Sequence, residues 1–249
     1  MRLTVLGCSG TYPGPNSPCS SYLLEEDGFT LLIDAGNGSL GPLQRYAGLL
    51  APDAVFISHL HGDHYLDLQP YLYARHYHPD GAPPALPVYA PGALTAQLKA
   101  GYGEATSSAE LVEQVYDIRP TSAGRLEIGP FAITLARTSH PIECYGARLE
   151  AGGRTLAYSA DTGPCGALVE LARGADVLLC EAAFGTGNGP PDLHLSGRQA
   201  GEHATRAGAG LLLLTHLVPH GDRAATREHA AAAYAGPAEL VSTGDRHEI

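Results

Sequence analysis

Three histidines and one aspartate lie within residues 59–64, which read His-Leu-His-Gly-Asp-His. Imidazole and carboxylate groups without a thiolate are donors that suit zinc, with manganese or iron as substitutes. His59 and His61 are two residues apart and can point to the same side of an extended segment, so they can hold one ion together. Asp63 and His64 can then serve a second ion. The alternative is a solvated polar loop, but no packing requirement explains so many metal-binding groups in one turn.

Three more polar residues occupy the position that His59 has, shortly after an apolar segment. These residues are His140, Asp161 and His216. The four apolar segments read as buried strands and are residues 53–58, 131–138, 155–159 and 211–214. A lone histidine at a strand end is usually an ordinary core or surface residue. The repeated placement instead predicts one shared site, since strand ends are where α/β proteins place ligands.

Two ions would each need three or more protein ligands, and the candidate residues divide accordingly. The first set, three imidazoles that can fill one tetrahedral site, is His59, His61 and His140. The second set is Asp63, His64 and His216, with Asp161 able to bridge the two. The sequence therefore predicts two zinc ions per chain, with manganese or iron as alternatives.

Length and composition limit the classes of protein to consider. The chain of 249 residues is 44% hydrophobic and contains 31 glycines and 19 prolines, which indicates a globular protein with many tight connections. Its formal net charge is −11 with only 15 lysines and arginines, so its field repels phosphate polymers and argues against broad nucleic-acid binding. A small anionic substrate held by metal stays compatible with this charge.

The sequence also predicts a compartment. The apolar runs are far shorter than the roughly 20 residues that span a bilayer, so no membrane segment is expected. Only seven residues precede Cys8, too few for a signal peptide. Five cysteines without a Cys-x-x-Cys pair indicate reduced thiols and no disulfides. We therefore expect a cytoplasmic protein.

Periodicity predicts short strands early in the chain and alternating helices and strands later. Further expected strands are residues 3–6, 21–24, 29–33, 88–90, 144–149, 177–180 and 239–242. Expected helices are residues 40–47, 65–76, 166–172, 196–207 and 223–234, with Ser196 as an N-cap. The segment from Pro79 to Pro91 is the loosest and is expected to form a surface loop. These elements favour one layered α/β domain over residues 1–249.

The motifs resemble those of the metallo-β-lactamase superfamily over nearly the whole chain. They occur in order as Leu32-Ile-Asp-Ala-Gly36, Ser58-His-Leu-His-Gly-Asp-His64, His140, Ser159-Ala-Asp-Thr162 and Thr215-His216. The resemblance implies an αββα sandwich, two facing mixed sheets flanked by helices, with a dinuclear site at one edge and the ligands named above. It also implies that Asp34 steadies the ligands, although an aspartate here could equally be a simple turn former.

Two later segments bear on the reaction. Cys180-Glu-Ala-Ala183 and Asp192-Leu-His-Leu-Ser196 resemble a pair in RNase Z-like phosphodiesterases, where a glutamate orients a histidine that protonates the leaving oxygen. The resemblance assigns these roles to Glu181 and His194, and it has Asp63 orient the attacking hydroxide as well as bind metal. An alkoxide leaves poorly, and an imidazole near neutral pH can supply its proton. The alternative is that His194 is an ordinary loop histidine.

The substrate prediction rests on further resemblance. RNase Z enzymes generally carry a long tRNA-gripping arm, whereas residues 140–161 hold only one expected hairpin with a Gly152-Gly153 turn. Large structured RNA is therefore an unexpected partner. The chain is most similar to RNase Z-like cyclic nucleotide phosphodiesterases of actinobacteria, through residues 5–10, 40–45, 157–163, 168–174 and 190–197. This likeness implies hydrolysis of cAMP, with cGMP as a further candidate, to the 5′-monophosphate.

Several alternatives stay open. The rival enzymes are a nuclease on RNA 3′ ends, an arylsulfatase-like esterase and a lactonase, and the rival of another class is a non-catalytic metal- or nucleotide-binding protein. His61 argues against a redox di-iron site, which would need a carboxylate there.

Related enzymes are often homodimers. Tyr12 or Tyr65 could stack on a base. The remaining histidines are expected at the surface; they are His76, His78, His203, His220, His229 and His247.

Overall fold

Two seven-stranded mixed sheets face each other in the computed structural model, which describes residues 1–103 and 107–249. The first sheet consists of β1 (Arg2–Gly7), β2 (Ser21–Glu26), β3 (Phe29–Ile33), β4 (Ala54–Phe56), β5 (Leu86–Ala90), β6 (Tyr116–Pro120) and the final strand β14 (Arg246–Glu248). The second consists of β7 (Gly124–Ile128), β8 (Phe131–Arg137), β9 (Tyr145–Ala151), β10 (Arg154–Tyr158), β11 (Val177–Glu181), β12 (Leu211–Thr215) and β13 (Ala238–Leu240). Their orders are β14-β1-β2-β3-β4-β5-β6 and β13-β12-β11-β10-β9-β8-β7.

Helices cover the outer face of each sheet. Those on the first sheet are α1 (Leu40–Tyr46), α2 (Gly62–Tyr65), α3 (Leu68–His76), α4 (Leu94–Tyr102) and α5 (Ser107–Val115). Those on the second are α6 (Gly166–Leu171), α7 (Gly197–Ala207) and α8 (Arg223–Ala231). This arrangement confirms the predicted αββα sandwich. Ser196 caps α7 as expected, because its hydroxyl accepts from the Gln199 backbone N–H and the Gln199 side chain accepts from the Ser196 N–H.

Side-chain alternation along the strands explains the layers. In β3, Leu31 and Ile33 pack into the core between the sheets, whereas Leu32 packs into the core beneath the helices of the first sheet. Successive strand residues point to opposite faces, so a strand covered on both sides must be apolar throughout. The hydrophobic runs that the sequence shows are therefore the strands at the centre of the sandwich.

Each sheet combines antiparallel hairpins with a run of parallel strands. Strands β3 to β6 are parallel in the first sheet, and β10 to β13 are parallel in the second. Bridges between residues outside the strands join the two sheets at the carboxyl ends of these parallel strands, where His59 pairs with Cys144 and Ser9 with Leu217. The chain segments that leave the parallel strands consequently meet at one edge of the sandwich.

The structure corrects two expectations about the elements and adds elements that were not expected. The helix expected over residues 65–76 begins only at Leu68, as α3, and a separate short helix, α2, precedes it over Gly62–Tyr65. Pro79 to Pro91 is not all loop, because β5 occupies Leu86–Ala90, which extends the strand expected over residues 88–90. No sequence pattern predicted α4, α5, β6, β7 or β14; β7, for example, exposes most of its residues and so lacks a clear apolar pattern. Within the described residues, no helix is long and apolar enough to cross a membrane.

Candidate metal centre

The predicted metal-binding residues come together in two clusters at this edge, and a third cluster adjoins them. Within each cluster the candidate ligand atoms lie within 4.8 Å of one another. The first contains His59, His61, His140 and Asp161; the second contains Asp63, His64, Asp161 and His216; the third contains Asp161, Glu181 and His194. Asp161 belongs to all three, so it occupies the centre of the site.

The first cluster presents three imidazole nitrogens to one point. His61 Nδ1 lies 3.2 Å from His59 Nε2 and 3.0 Å from His140 Nε2. A tetrahedral zinc ion with bonds of about 2.0–2.1 Å to nitrogen separates its ligand atoms by about 3.3 Å, so this spacing fits one ion. The Nδ1 atom of His140 lies 3.1 Å from the carbonyl oxygen of Leu193, which accepts its proton and leaves Nε2 with a free electron pair.

In the second cluster, buried polar atoms converge without a hydrogen-bond partner among the described residues. These atoms are His64 Nε2, His216 Nε2 and Asp161 Oδ1. His64 Nε2 is 3.2 Å from Asp161 Oδ1, and His216 Nε2 is 3.4 Å from Asp161 Oδ2. An unsatisfied buried polar group is destabilising by about 1–3 kcal/mol. A metal ion would satisfy all three atoms together, so the residues fit this group.

Asp34 holds the second cluster in place through its buried carboxylate. Its Oδ2 accepts from His64 Nδ1 at 2.7 Å, from the Ser58 hydroxyl at 2.8 Å and from the Tyr158 hydroxyl at 2.6 Å. Its Oδ1 accepts from the Ser58 backbone N–H at 2.7 Å. These contacts direct His64 Nε2 toward Asp161. Asp34 therefore orients a candidate ligand, as well as forming the turn after β3.

Left-handed backbone at the strand ends aims several of these side chains. Of the five described non-glycine residues with positive φ, four lie at the site: Thr11 (67°), Asp34 (54°), Ala160 (50°) and His216 (54°). Such conformations cost of order 1–3 kcal/mol each and persist only where surrounding structure enforces them. Ala160 and His216 follow β10 and β12 closely, so the left-handed backbone bends the chain sharply where each of these strands leads into the site.

Burial and neighbouring charges set the protonation of the clusters. Burial lowers the pKa of His140 to about 4, and burial with the charges of neighbouring histidines holds the pKa of His59 well below its ordinary value. Burial opposes ionisation of Asp161, but His216, His64 and His59 outweigh it and keep its pKa well below the usual range. Burial would lower the pKa of His64, but the Asp161 and Asp34 carboxylates outweigh burial and raise this pKa well above its ordinary value. Metal binds the neutral imidazole and the ionised carboxylate, so an ion in the second cluster would displace the His64 proton.

The third cluster joins His194 to Glu181. Glu181, only 1% exposed, accepts from His194 Nδ1 at 2.9 Å. Backbone N–H groups of Thr162, Ala183 and Leu195 also donate to it, at 2.8, 3.1 and 3.2 Å. Burial would lower the pKa of His194, but the hydrogen bond and charge of Glu181, with other nearby carboxylates, raise it above its ordinary value.

His194 also lies beside both metal-binding clusters. Its ring centroid is 5.8 Å from that of His140 in the first cluster and 5.5 Å from that of His216 in the second. Glu181 engages Nδ1, which leaves Nε2 as the ring nitrogen free of that carboxylate. A protonated imidazole of this kind can give a proton to a group bound at the clusters.

Other sequence predictions have mixed outcomes. His203 is 2% exposed, so the prediction that it lies at the surface is wrong; its Nε2 accepts from the Cys165 N–H and its Nδ1 donates to the Gln199 carbonyl oxygen. His220 and His229 are exposed, whereas His247 is half-buried. The five cysteines are free thiols.

Two residues outside the predicted site border it. The Thr11 backbone N–H donates to Asp63 Oδ2 at 2.7 Å. Gly163 approaches the His194 loop so closely that a Cβ there would lie 1.9 Å from the Pro191 carbonyl oxygen. Neither contact had a sequence signal, since both arise where distant loops meet.

Comparison with known proteins agrees with this geometry. Residues 30–217 match the model of the beta-lactamase superfamily domain. The chain belongs to the metallo-β-lactamase superfamily. It has the fold of a metallo-hydrolase of this family and His/Asp clusters able to bind metal.

Among its relatives is an uncharacterized protein of Mycobacterium leprae, 40% identical over 255 residues that cover 100% of this chain and 89% of the relative. The probable metallo-hydrolase YhfI of Bacillus subtilis is 32% identical over 252 residues, 98% of each chain. The crystal structure of YhfI superposes with a TM-score of 0.88 at 30% identity and 99% coverage of both chains. Human tRNase Z, short form, shares the fold, with a TM-score of 0.76 at 22% identity over 100% of this chain and 99% of that one.

Proposed function

We propose that the protein is a dinuclear metal-dependent phosphodiesterase that hydrolyses cyclic 3′,5′-nucleotides, cAMP and also cGMP, to 5′-monophosphates. The observation that carries this proposal is the position of His194, whose ring borders both metal-binding clusters while Glu181 holds its Nδ1. A phosphodiester with an alkoxide leaving group needs such an acid.

The proposal assigns metal ligands to the two clusters. One ion would be held by His59, His61 and His140, the other by Asp63, His64 and His216, with Asp161 between them. Zinc suits these donors best, and manganese or iron could replace it. Two bound ions would supply Lewis-acid activation of water and neutralise charge on the phosphoryl oxygens.

The chain's own residues would handle the proton and the nucleophile. Water adds to phosphorus and releases one proton to solvent, the bond between phosphorus and the 3′ oxygen breaks, and His194 Nε2 gives its proton to that oxygen and then regains one from solvent. Burial opposes ionisation of Asp63, but His64 and His216 outweigh it and lower its pKa, so its carboxylate can accept a hydrogen bond from the attacking water. The Thr11 N–H fixes Asp63 Oδ2 for this task.

The short connection between His140 and Asp161 favours a small substrate. Strands β9 and β10 meet at Gly152 and Gly153, both with positive φ, and add no protruding arm. The net charge of −11 also disfavours a large polyanion. The second candidate, an RNase Z-like nuclease on RNA 3′ ends, is supported by the fold shared with human tRNase Z.

Substrate assays on purified, metal-loaded protein test the reaction class. The panel would contain cAMP, cGMP, bis-p-nitrophenyl phosphate, an RNA with a 3′ extension, an aryl sulfate and a lactone. We expect turnover of the cyclic nucleotides. Cleavage of the lactone or sulfate without cleavage of any phosphodiester would contradict the proposal, and preferred cleavage of RNA would favour the nuclease.

The variant His194→Ala tests the role of the acid. Since acid catalysis contributes about 10²–10⁴-fold, kcat for cAMP should fall by at least about 100-fold while metal analysis still finds both ions. Loss should be much smaller with bis-p-nitrophenyl phosphate, because nitrophenolate departs without a proton. His229→Ala, at an exposed position on α8, is the control. If kcat falls equally for cAMP and bis-p-nitrophenyl phosphate, His194 does not protonate the leaving oxygen.

A further inference from the structure

Two loops that contact or hold residues of the second cluster also carry an aromatic pair, Tyr12 and His220. Gly10 lies against His216, since a Cβ there would be 2.7 Å from the His216 Cδ2 atom. The next residue, Thr11, donates its N–H to Asp63, and Tyr12 follows. From the other loop, His220 stands four residues after His216. Tyr12 therefore follows a residue that contacts Asp63, and His220 lies four residues after His216, so each belongs to a loop that holds or contacts a candidate metal ligand.

The two rings lie edge to edge in nearly one plane. Their planes differ by 15°, their centroids are 6.2 Å apart, and the Tyr12 hydroxyl oxygen is 2.6 Å from His220 Nδ1. Both of those atoms lie in the planes of their own rings. Rings stacked over one another at van der Waals contact would keep such atoms about 3.5 Å or more apart. The 2.6 Å contact thus requires rings side by side, which form one flat surface two rings wide.

This surface is exposed rather than packed. Tyr12 is 43% exposed, and His220 is also exposed. Large aromatic side chains normally bury their faces, so a flat pair held open beside a charged site offers its face to a ligand. A purine is a planar system of two fused rings and matches this width better than a single ring does.

We propose that Tyr12 and His220 form a stacking platform for the purine of the substrate, an inference that rests on the proposed function. The phosphate would lie at the clusters and the base on the platform. Stacking recognises the flat face that every base has, so the platform should accept adenine and guanine with little discrimination. Residues that read the base edge would then set any preference between cAMP and cGMP.

Binding measurements on the metal-loaded protein test the platform without turnover. The probes are adenosine 5′-monophosphate and ribose 5-phosphate, which share the phosphate and sugar but not the base. Calorimetry should show the nucleotide binding at least about tenfold tighter to the natural protein, since stacking on an aromatic side chain contributes about 1–3 kcal/mol per base. Equal affinity for the two probes would overturn the proposal.

Substitutions test which side chains produce the preference for a ligand with a base. Tyr12→Ala should abolish the preference for adenosine 5′-monophosphate over ribose 5-phosphate and leave the affinity for ribose 5-phosphate unchanged. Tyr12→Phe should keep most of this preference, and His220→Ala should reduce it. Tyr77→Ala, which removes a 69% exposed tyrosine from the end of α3, is the control. If Tyr12→Ala weakens ribose 5-phosphate equally, the side chain acts through Asp63, and the platform is wrong.

The binding and turnover results separate the two proposals. A base preference that Tyr12→Ala abolishes, in a protein that hydrolyses no cyclic nucleotide, would keep the platform and remove the proposed reaction. If the protein hydrolyses cAMP but binds adenosine 5′-monophosphate and ribose 5-phosphate equally well, the proposed reaction stands and the platform is wrong.

Discussion

Glu181 is a buried side chain whose hydrogen bonds hold the ring of His194 in place. Three backbone N–H groups and the His194 imidazole surround its two oxygens, so the carboxylate has no freedom to turn. Its position fixes the ring of His194, and its charge favours the protonated form of that ring. A positioning residue of this kind acts on the reaction through the pKa of its neighbour.

The pH profile should reveal this coupling. As pH rises through the pKa of His194, the ring loses the proton that the leaving oxygen needs, and activity falls. Glu181→Gln removes the charge that raises this pKa, so the decline of kcat for cAMP should move to lower pH. Glu170→Gln, at a surface position paired with Arg173, should leave the profile unchanged. A profile that Glu181→Gln does not shift would show that His194 does not limit activity on the alkaline side.

At the scale of elements, the loop of residues 182–196 positions His194 between β11 and α7. It rests on Gly163, where only a missing side chain permits the approach of Pro191. The loop therefore depends on a contact with the turn that follows Asp161.

Gly163→Ala should displace this loop. The added methyl group would overlap the Pro191 carbonyl oxygen, and a shift of about 1 Å in a catalytic group can reduce the rate by about 100-fold. We expect kcat for cAMP to fall by tenfold or more with both metals retained. Gly166→Ala is the matched control, because a Cβ at this first residue of α6 meets no atom within 4 Å. Equal activity of the two variants would show that the loop is not held here.

The sequence predicted the elements whose pattern is strong. Central strands such as β12 are apolar throughout, and the polar residue after each strand marked the site. Where segments lie at an edge, as β7 and β14 do, exposure removes that pattern, and sequence alone could not place them. His203 had a usable signal, because it shares a helix face with the buried alanines 200, 204 and 207.

Contacts between loops were beyond sequence reasoning. The Thr11 contact with Asp63 and the Tyr12–His220 pair each join residues more than 50 positions apart. Their formation depends on how the two sheets are packed, and no local pattern encodes that geometry.

For the whole molecule, the important fact is that the site joins the two sheets. His59 and His61 follow a strand of the first sheet, whereas His140, Asp161 and His216 follow strands of the second. Ions bound between them would cross-link the layers of the sandwich. Each ion would stabilise the native state, since the unfolded chain cannot assemble the same donors.

Removal of metal should therefore lower the melting temperature. A ligand at 100 times its Kd stabilises the native state by about 2.7 kcal/mol, which corresponds to roughly 5–10 °C in a chain of this size. Calorimetric scans before and after chelation measure the shift, and added zinc should restore it. If metal analysis shows complete removal and the melting temperature is unchanged, the clusters do not join the sheets through metal.

Asp161 carries a consequence for how this protein can change over generations. One carboxylate belongs to all three clusters, and its two oxygens are only 3.2–3.9 Å from ring nitrogens of His59, His64, His194 and His216. If each cluster had its own carboxylate, a substitution would disturb one cluster and leave the others intact. Here a single substitution of Asp161 would disturb all three clusters at once, so this position should tolerate substitution less than a position that serves one cluster alone.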